Sequence, residues 1–421
     1  MLLSSPYRVR QSAGWFSVAV FLLAVAGCKR PPTAEPIPHA DAGWTLAVEP
    51  LPSPASGTTT APQLTVTGDR TILSWLETAD ARTTLKFAER TSSGWSEPRV
   101  VASGSDFVTN AADVPSVRAL RDGTLAAHWN RQYGDDPEAY SLLLSWSKDG
   151  GSTWSQPTTP HHDSTKTQHG FGSLFQAPGA GLGVIWLDGR ATNPNAPEGA
   201  NGSMGLWAAV YGADGRQVSE AAIDARVCEC CQTSVAETAE GVIVAYRDRS
   251  AEEVRDIYVT RLVDGRWSAP ADVHNDGWKI NGCPVNGPAV DARGRHVAVA
   301  WFTASANDGE AFIAFSDDAG RTFSRPIRVD DDACRGHLDV ELLADGSAAV
   351  SWTESTGGHS QVKVRRVEQS GTRSPAVSIA QVSGAEYPRL AHGRGELLFT
   401  WSETENGESQ VRTARAALPA R

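Results

Sequence analysis

Three cysteines crowd four positions in "RVCECCQT", Arg226 to Thr233. Cys283 and Cys334 follow in separate loops, "NGCPVNGP" and "ACRGHLDV". Thiols at this density support three chemistries. They can staple neighbouring loops, with Cys228 or Cys230 joined to Cys283 and one thiol left over. They can bind a soft metal, copper(I) or zinc(II), with imidazole from His337 or His169. One of them can also stay a reactive thiol. The spacing C-x-C-C matches no zinc-ribbon pattern. Five cysteines follow Cys28, an odd number, so disulfides alone cannot pair them all within one chain.

A second set of residues is charged. It comprises Arg131, Asp188 and Arg190 in "WLDGR", Arg247, Asp248 and Arg249 in "YRDR", Arg255 and Asp256, and Glu354 and Glu403. Tyr387 and Arg389 stand in "EYPRL". Singly, each reads as a solvated loop charge or a salt bridge. Together, arginines interleaved with carboxylates beside Tyr, Trp and His suit an anionic or sugar ligand.

The elements that must position these groups repeat. A short apolar strand ending in an aromatic recurs as "ILSWLE", "LAAHWNR", "GVIWLD", "VIVAYRD", "VAVAWFT", "AAVSWTE" and "LLFTWSE", at steps of 49 to 60 residues. A strand precedes each copy and another follows. A fourth opens with an aromatic and a proline, as in "WSEPRVV", "WSQP", "WSAPADV" and "FSRPIRV". Gly, Asp and Asn separate the strands, as tight turns require. Four short antiparallel strands per repeat, with almost no helical periodicity, define an all-β fold, a β-propeller. Seven copies predict seven blades, with six as the alternative. The last copy has three clear strands, and "WTLAVEPL", Trp44 to Leu51, is the expected fourth that closes the ring.

Two loops between third and fourth strands share S-x-D-x-G-x-T-[W/F]: "SKDGGSTW" from Ser147 and "SDDAGRTF" from Ser316. "LVDGRW" is a degenerate copy. The motif resembles the Asp-box of the sialidase (neuraminidase) superfamily and related BNR-repeat propellers, and the repeats cover essentially the whole mature chain. Physically the motif is a turn. Asp149 and Asp318 accept backbone N–H bonds, Gly151 and Gly320 permit φ > 0, and Trp154 and Phe323 plug between strands. The resemblance implies a structural role away from the ligand site. If these turns mark the bottom face, the ends of second strands and starts of first strands lie on top, around the central channel. Cys228, Cys230, Cys231, Cys283, Cys334, His169 and His337 are all expected there.

The resemblance also implies a chemistry. A sialidase clamps its substrate carboxylate with three arginines, attacks with a Tyr and protonates with an Asp. Tyr387 is the matching nucleophile candidate. Asp188 and Asp248 are candidate acids, and Arg190, Arg249 and Arg389 candidate clamp members. Arg131 and Arg247 are further ligand contacts. The sequence departs from the family in lacking an F-R-I-P motif, in its seven repeats where sialidases have six blades, and in the cysteine cluster.

The ends and the composition complete the reading. Residues 1–27 carry Arg8 and Arg10, then the apolar run "WFSVAVFLLAVAG", too short for a spanning helix, and are expected to be a lipoprotein signal peptide. "VAGC" resembles a bacterial lipobox, which implies a lipidated Cys28. Residues 28–42 form a Pro-rich tether and 43–421 the propeller. Lys29 resembles the outer-membrane sorting pattern, so an exported, oxidising location at the outer membrane is expected. A net charge of −11 without a basic run argues against nucleic acid. Three functions follow: a glycan-binding or glycan-cleaving lipoprotein (exo-α-sialidase-like), a copper, zinc or redox protein built on the cysteines, or a non-catalytic protein-interaction scaffold.

Overall fold

The computed structural model describes residues 44–419, apart from 135, 178, 180, 193–201, 333, 357–358 and 383–385. Cys28 and the residues expected to form the signal peptide and tether lie outside the described residues. The described chain is all β, with no α-helix. It forms seven antiparallel sheets, six of which follow chain order from inner to outer strand, while the seventh takes its outer strand from the start of the described chain. The inner strands begin at Thr58, Ser116, His169, Ser234, Ala289, Cys334 and Glu386. Each lies against the inner strands of the next blades, and the seventh meets the first. The molecule is a seven-bladed propeller, the count that the repeats predict.

Val48–Leu51 pairs with Glu408–Ala417 and completes the seventh blade. The Thr413 hydroxyl donates to the Leu51 carbonyl at 2.6 Å across this join. The first and last described strands thus share one sheet, which closes the ring. Two blades vary. Among the described residues the second has three strands, with one bridge from Leu144 to Thr158 where the fourth would run. The fourth splits its outer edge into Arg266–Trp267 and Ala271–His274.

The recurring aromatic explains the packing. Trp75, Trp186, Trp301 and Trp352 have no exposed surface, and Trp129, Tyr246 and Trp401 are also buried. Each burial of a large ring removes 150–250 Å² or so from water, so seven of them dominate the core. Between inner strands, side chains cross-link neighbouring blades. Thr65 donates to the Val117 carbonyl at 2.6 Å, and Asp291 and Asp339 accept from the Leu342 and Leu390 amides at 2.7 and 2.9 Å.

Both Asp-box turns close as their sequence dictates. Asp149 accepts from the Thr153 amide and hydroxyl at 2.9 and 2.6 Å, and the Ser147 hydroxyl accepts from the Gly151 amide. Asp318, Thr322, Ser316 and Gly320 repeat the pattern. Gly151 and Gly320 have φ of 88° and 80°. A Cβ on Gly320 would lie 2.2 Å from Ile243 Cδ1, so this turn presses on the preceding blade. Trp154 packs edge-on against Phe87, and Phe323 against the cluster between blades four and five. These contacts make both boxes structural ties between blades.

Candidate functional site: the top-face mouth

The mouth is built from the loops that lead into the inner strands. Four of those strands begin with bulges, at Ala61, Phe171, His337 and Tyr387, and Val285 lies in the loop before a fifth; all five residues are held in the left-handed region. Ala61, Phe171, Val285, His337 and Tyr387 have φ between 49° and 55°. None is glycine, so each carries a backbone cost of about 1–3 kcal/mol that its surroundings must hold. Phe171 belongs to an apolar cluster against which Val285, Tyr387 and Cys230 pack. Blades three and seven are not neighbours round the ring, so this cluster crosses the channel mouth. It forms a floor. Below it, the channel holds a cavity of about 740 Å³ lined by Arg118, Arg293, Glu341 and Arg389.

Loops around the floor interlock. Gln232 donates to the Ala112 carbonyl and accepts from the Gly287 amide. Asn286 accepts from the His337 amide at 2.8 Å and donates to the Arg335 carbonyl. The His337 ring stacks on Tyr387, centroids 4.2 Å apart. Burial, with Arg389 adding, pushes His337 down to about 4, so the imidazole is neutral at pH 7.

Four of the five cysteines meet at this rim. Cys230 and Cys283 form a disulfide, leaving Cys228, Cys231 and Cys334 as thiols. Cys228 Sγ lies 2.9 Å from Cys231 Sγ and 3.9 Å from Cys230 Sγ. The Arg255 guanidinium donates to Cys228 Sγ at 3.3 Å. Burial raises the Cys228 thiol, but the Cys231 thiol, the Cys230 amide, Arg247 and Arg255 outweigh it and bring it down to about 7. Burial, then the Cys228 partner, drives Cys231 well above the ordinary thiol range. Cys334 does not join them. It starts the sixth inner strand, accepts from the Gly336 amide and packs in the cluster of Trp278 and Phe302. Burial and Asp330 push it up to about 12. The expectation of five converging cysteines is corrected to four, and that of one leftover thiol to three.

The charged candidates fall into separate networks. Asp188 is fully buried and accepts from Trp186 Nε1 at 2.7 Å and from the Arg190 amide and guanidinium. Arg190 also binds Glu220 at 2.7 Å and stacks on Trp207 at 3.5 Å. Arg247, 1% exposed, donates to three carbonyls, those of Asn286, Arg255 and Phe302, at 2.6–2.9 Å. Arg249 forks onto Glu253 and reaches Glu229, and Arg255 bridges the same two carboxylates. Arg131 pairs with Asp106 at 2.5 Å. Glu354 holds Lys363 and Glu403 holds Arg412. Arg389 lines the channel below the floor. Arg190 and Arg249 are each held by neighbouring carboxylates, and no described contact links either to Arg389. Asp256 accepts from the Gly277 and Trp278 amides, a loop tie. Asp248 is the candidate acid with suitable protonation: burial, then Asp224, pushes it up to about 6.

One cluster escaped the sequence reading, which singled out only His169. Asp163 Oδ2 lies 3.0 Å from both His161 Nδ1 and His169 Nε2, and the two rings stack at 3.8 Å. All three come from "HHDSTKTQHG", where H-x-D-x5-H was the available signal. Their mutual hydrogen bonds use the atoms that would ligate a metal. Asp113 is a second such group: buried, bound by Tyr140 and the Phe171 amide, and pushed up to about 6 by burial.

No protein-family model matches this sequence, and comparison with curated proteins finds no relative. Solved structures do share the fold. A PL25 ulvan lyase aligns with a TM-score of 0.54 at 9% identity, over 88% of this chain and 94% of that one. Polysaccharide lyase Uly1 aligns at 0.53 and 9%, over 93% and 94%. The endosialidase of phage phi92 aligns at 0.51 and 9%, over 90% and 70%. At the level of fold, the chain is a β-propeller similar to these structures. At these identities the likeness is one of architecture, and function has to be argued from the site.

Proposed function

We propose that this propeller binds an anionic glycan on the floor of its top-face mouth. The observation that carries the reading is the floor itself: five left-handed, non-glycine residues round the channel and an apolar cluster, containing Phe171 with Tyr387 packed on it, that spans the opening. A sugar ring lays its C–H face on such a surface, and rim groups orient its polar edge. Arg335, exposed beside His337, supplies positive charge for a carboxylate or sulfate. The fold's occurrence in polysaccharide lyases and an endosialidase supports a polymeric, acidic ligand. The same reading places the protein in the cell envelope, outer-membrane anchored through a lipidated Cys28. Palmitate labelling lost in Cys28→Ala tests that part.

The test of binding uses the purified full-length chain on a panel of sialylated, uronate-containing, sulfated and neutral glycans. Retention of acidic glycans, weakened at least tenfold by Tyr387→Ala and Arg335→Ala, is expected. Equal retention of neutral and acidic glycans, or none at all, refutes it and leaves the protein-interaction scaffold. Release of free sialic acid that disappears in Tyr387→Phe would make the protein a sialidase, with Asp248 the acid.

A further inference from the structure

We propose that Cys228, Cys230, Cys231 and Cys283 form one thiol–disulfide exchange unit, in which the disulfide passes between Cys230–Cys283 and Cys228–Cys231. This stands apart from the glycan reading. "CECC" contains two interleaved pairs: Cys228-x-x-Cys231 is a C-x-x-C, and Cys230 inside it is bonded outward. Cys228 Sγ has both potential partners within reach, Cys231 at 2.9 Å and the bonded Cys230 at 3.9 Å. A disulfide needs about 2.05 Å, so small rotations separate the two pairings. Arg255, itself buried, donates to Cys228 Sγ, as a thiolate nucleophile requires. The sulfurs are also ranked by depth. Cys283 is exposed, Cys230 half-buried, and Cys228 and Cys231 buried. That order suits exchange between a surface disulfide and an interior dithiol better than four equivalent metal ligands.

The step balances internally. The Cys228 thiolate attacks Cys230 Sγ, the Cys230–Cys283 bond breaks, and its electron pair leaves on Cys283. Cys231 then attacks Cys228 Sγ, and Cys230 leaves as thiolate. The protons of Cys228 and Cys231 finish on Cys230 and Cys283. One disulfide is lost and one is formed, so no external oxidant enters. The transfer frees Cys283 two residues before Val285 of the mouth floor.

Test it by equilibrating the full-length chain in glutathione buffers of stepped redox poise. Acid quench, alkylation and peptide mass mapping then identify every linked pair. Expected is a single-disulfide species with Cys228 joined to Cys231 and Cys283 alkylated, present also in Cys334→Ser and absent in Cys228→Ser. The groups facing Cys228 are Arg247, Arg255, Cys231 and, through Arg255, Glu229. With these in place its formation rate should rise about tenfold per pH unit up to about pH 7 and then level off. Two results overturn the proposal. One is Cys230–Cys283 as the sole single-disulfide species of the unsubstituted chain at every poise. The other is about one copper or zinc per chain, in protein purified without chelator, that blocks alkylation of Cys228 and Cys231. Both are read on the unsubstituted chain, so neither depends on a variant folding.

Discussion

Arg247→Met decides whether the buried arginine holds the mouth together or holds a ligand. The guanidinium meets three carbonyls from two loops and a strand end, and lies 4.9 Å over the Trp278 ring. Methionine fills much of the same volume and donates nothing. Hydrogen bonds to a charged group contribute about 1.5–3 kcal/mol each, net of solvation. Apolar burial of the methionine offsets part of their loss. The net loss should be about 2–4 kcal/mol. Arg247→Lys should recover only part of it, because a point ammonium cannot serve three acceptors set around a planar fork. Guanidinium unfolding followed by tryptophan fluorescence measures this directly. Acidic-glycan binding well below the unfolding midpoint should be unchanged in Arg247→Lys. The reasoning fails if Arg247→Met unfolds within about 0.5 kcal/mol of the parent yet binds acidic glycan tenfold more weakly. That result would return Arg247 to the ligand contacts.

Gly320→Ala places a Cβ 2.2 Å from Ile243 and strains a φ of 80°, so unfolding should ease by about 2–4 kcal/mol. Gly294→Ala, with φ 65° and open space, should cost only about 1 kcal/mol in the same denaturation assay. Burial raises the Asp318 carboxyl, but the Thr322 hydroxyl and amide and the Ser316 hydroxyl bring it down to about 2. A depressed carboxylate stabilises above its unfolded value of 3.8 and loses that contribution as pH falls toward 2, so Asp318→Asn should flatten the acid limb of stability between pH 4 and 2. Asp248 has the opposite sign. Its carboxyl is raised to about 6, so its protonated form favours folding below 3.8 and that advantage is lost as pH rises through 6. Denaturation of Asp248→Asn and the parent should therefore match more closely at pH 4 than at pH 8, where the variant should be the more stable.

The architecture was legible because repetition is a global signal. One strand with an aromatic at its end could be many things, but seven in a row at near-constant spacing require a ring. The two Asp-boxes were legible because every atom they use lies within eight residues. The site was less so, since partners there come from distant loops. Nothing near Arg247 in sequence announces the carbonyls of Asn286 and Phe302. Nothing near Arg190 announces Glu220, 30 residues on. Charges at the ends of second strands looked like one collective mouth. The neighbouring loops instead neutralise them in separate groups. His161 and Asp163 were passed over because they sit between repeats, where the period gives no frame.

The cysteines show how a single position of register changes chemistry. Cys334 is on the expected face of the propeller, but it is already part of a strand, paired opposite Glu354. Side chains alternate along a strand, so one residue of shift turns a side chain from one face of the blade to the other. Cys334 faces the core between blades five and six. Cys230 and Cys231 are separated by a turn, not by strand alternation: Glu229 and Cys230 turn the chain, which brings Cys231 back beside Cys228 at i, i+3. Cys230 turns outward to the loop of Cys283, and Cys231 turns inward to Cys228. The stretch is therefore better parsed by its turn than by crowding: two interleaved pairs, one at the surface and one beneath it, with Cys228 placed to touch both.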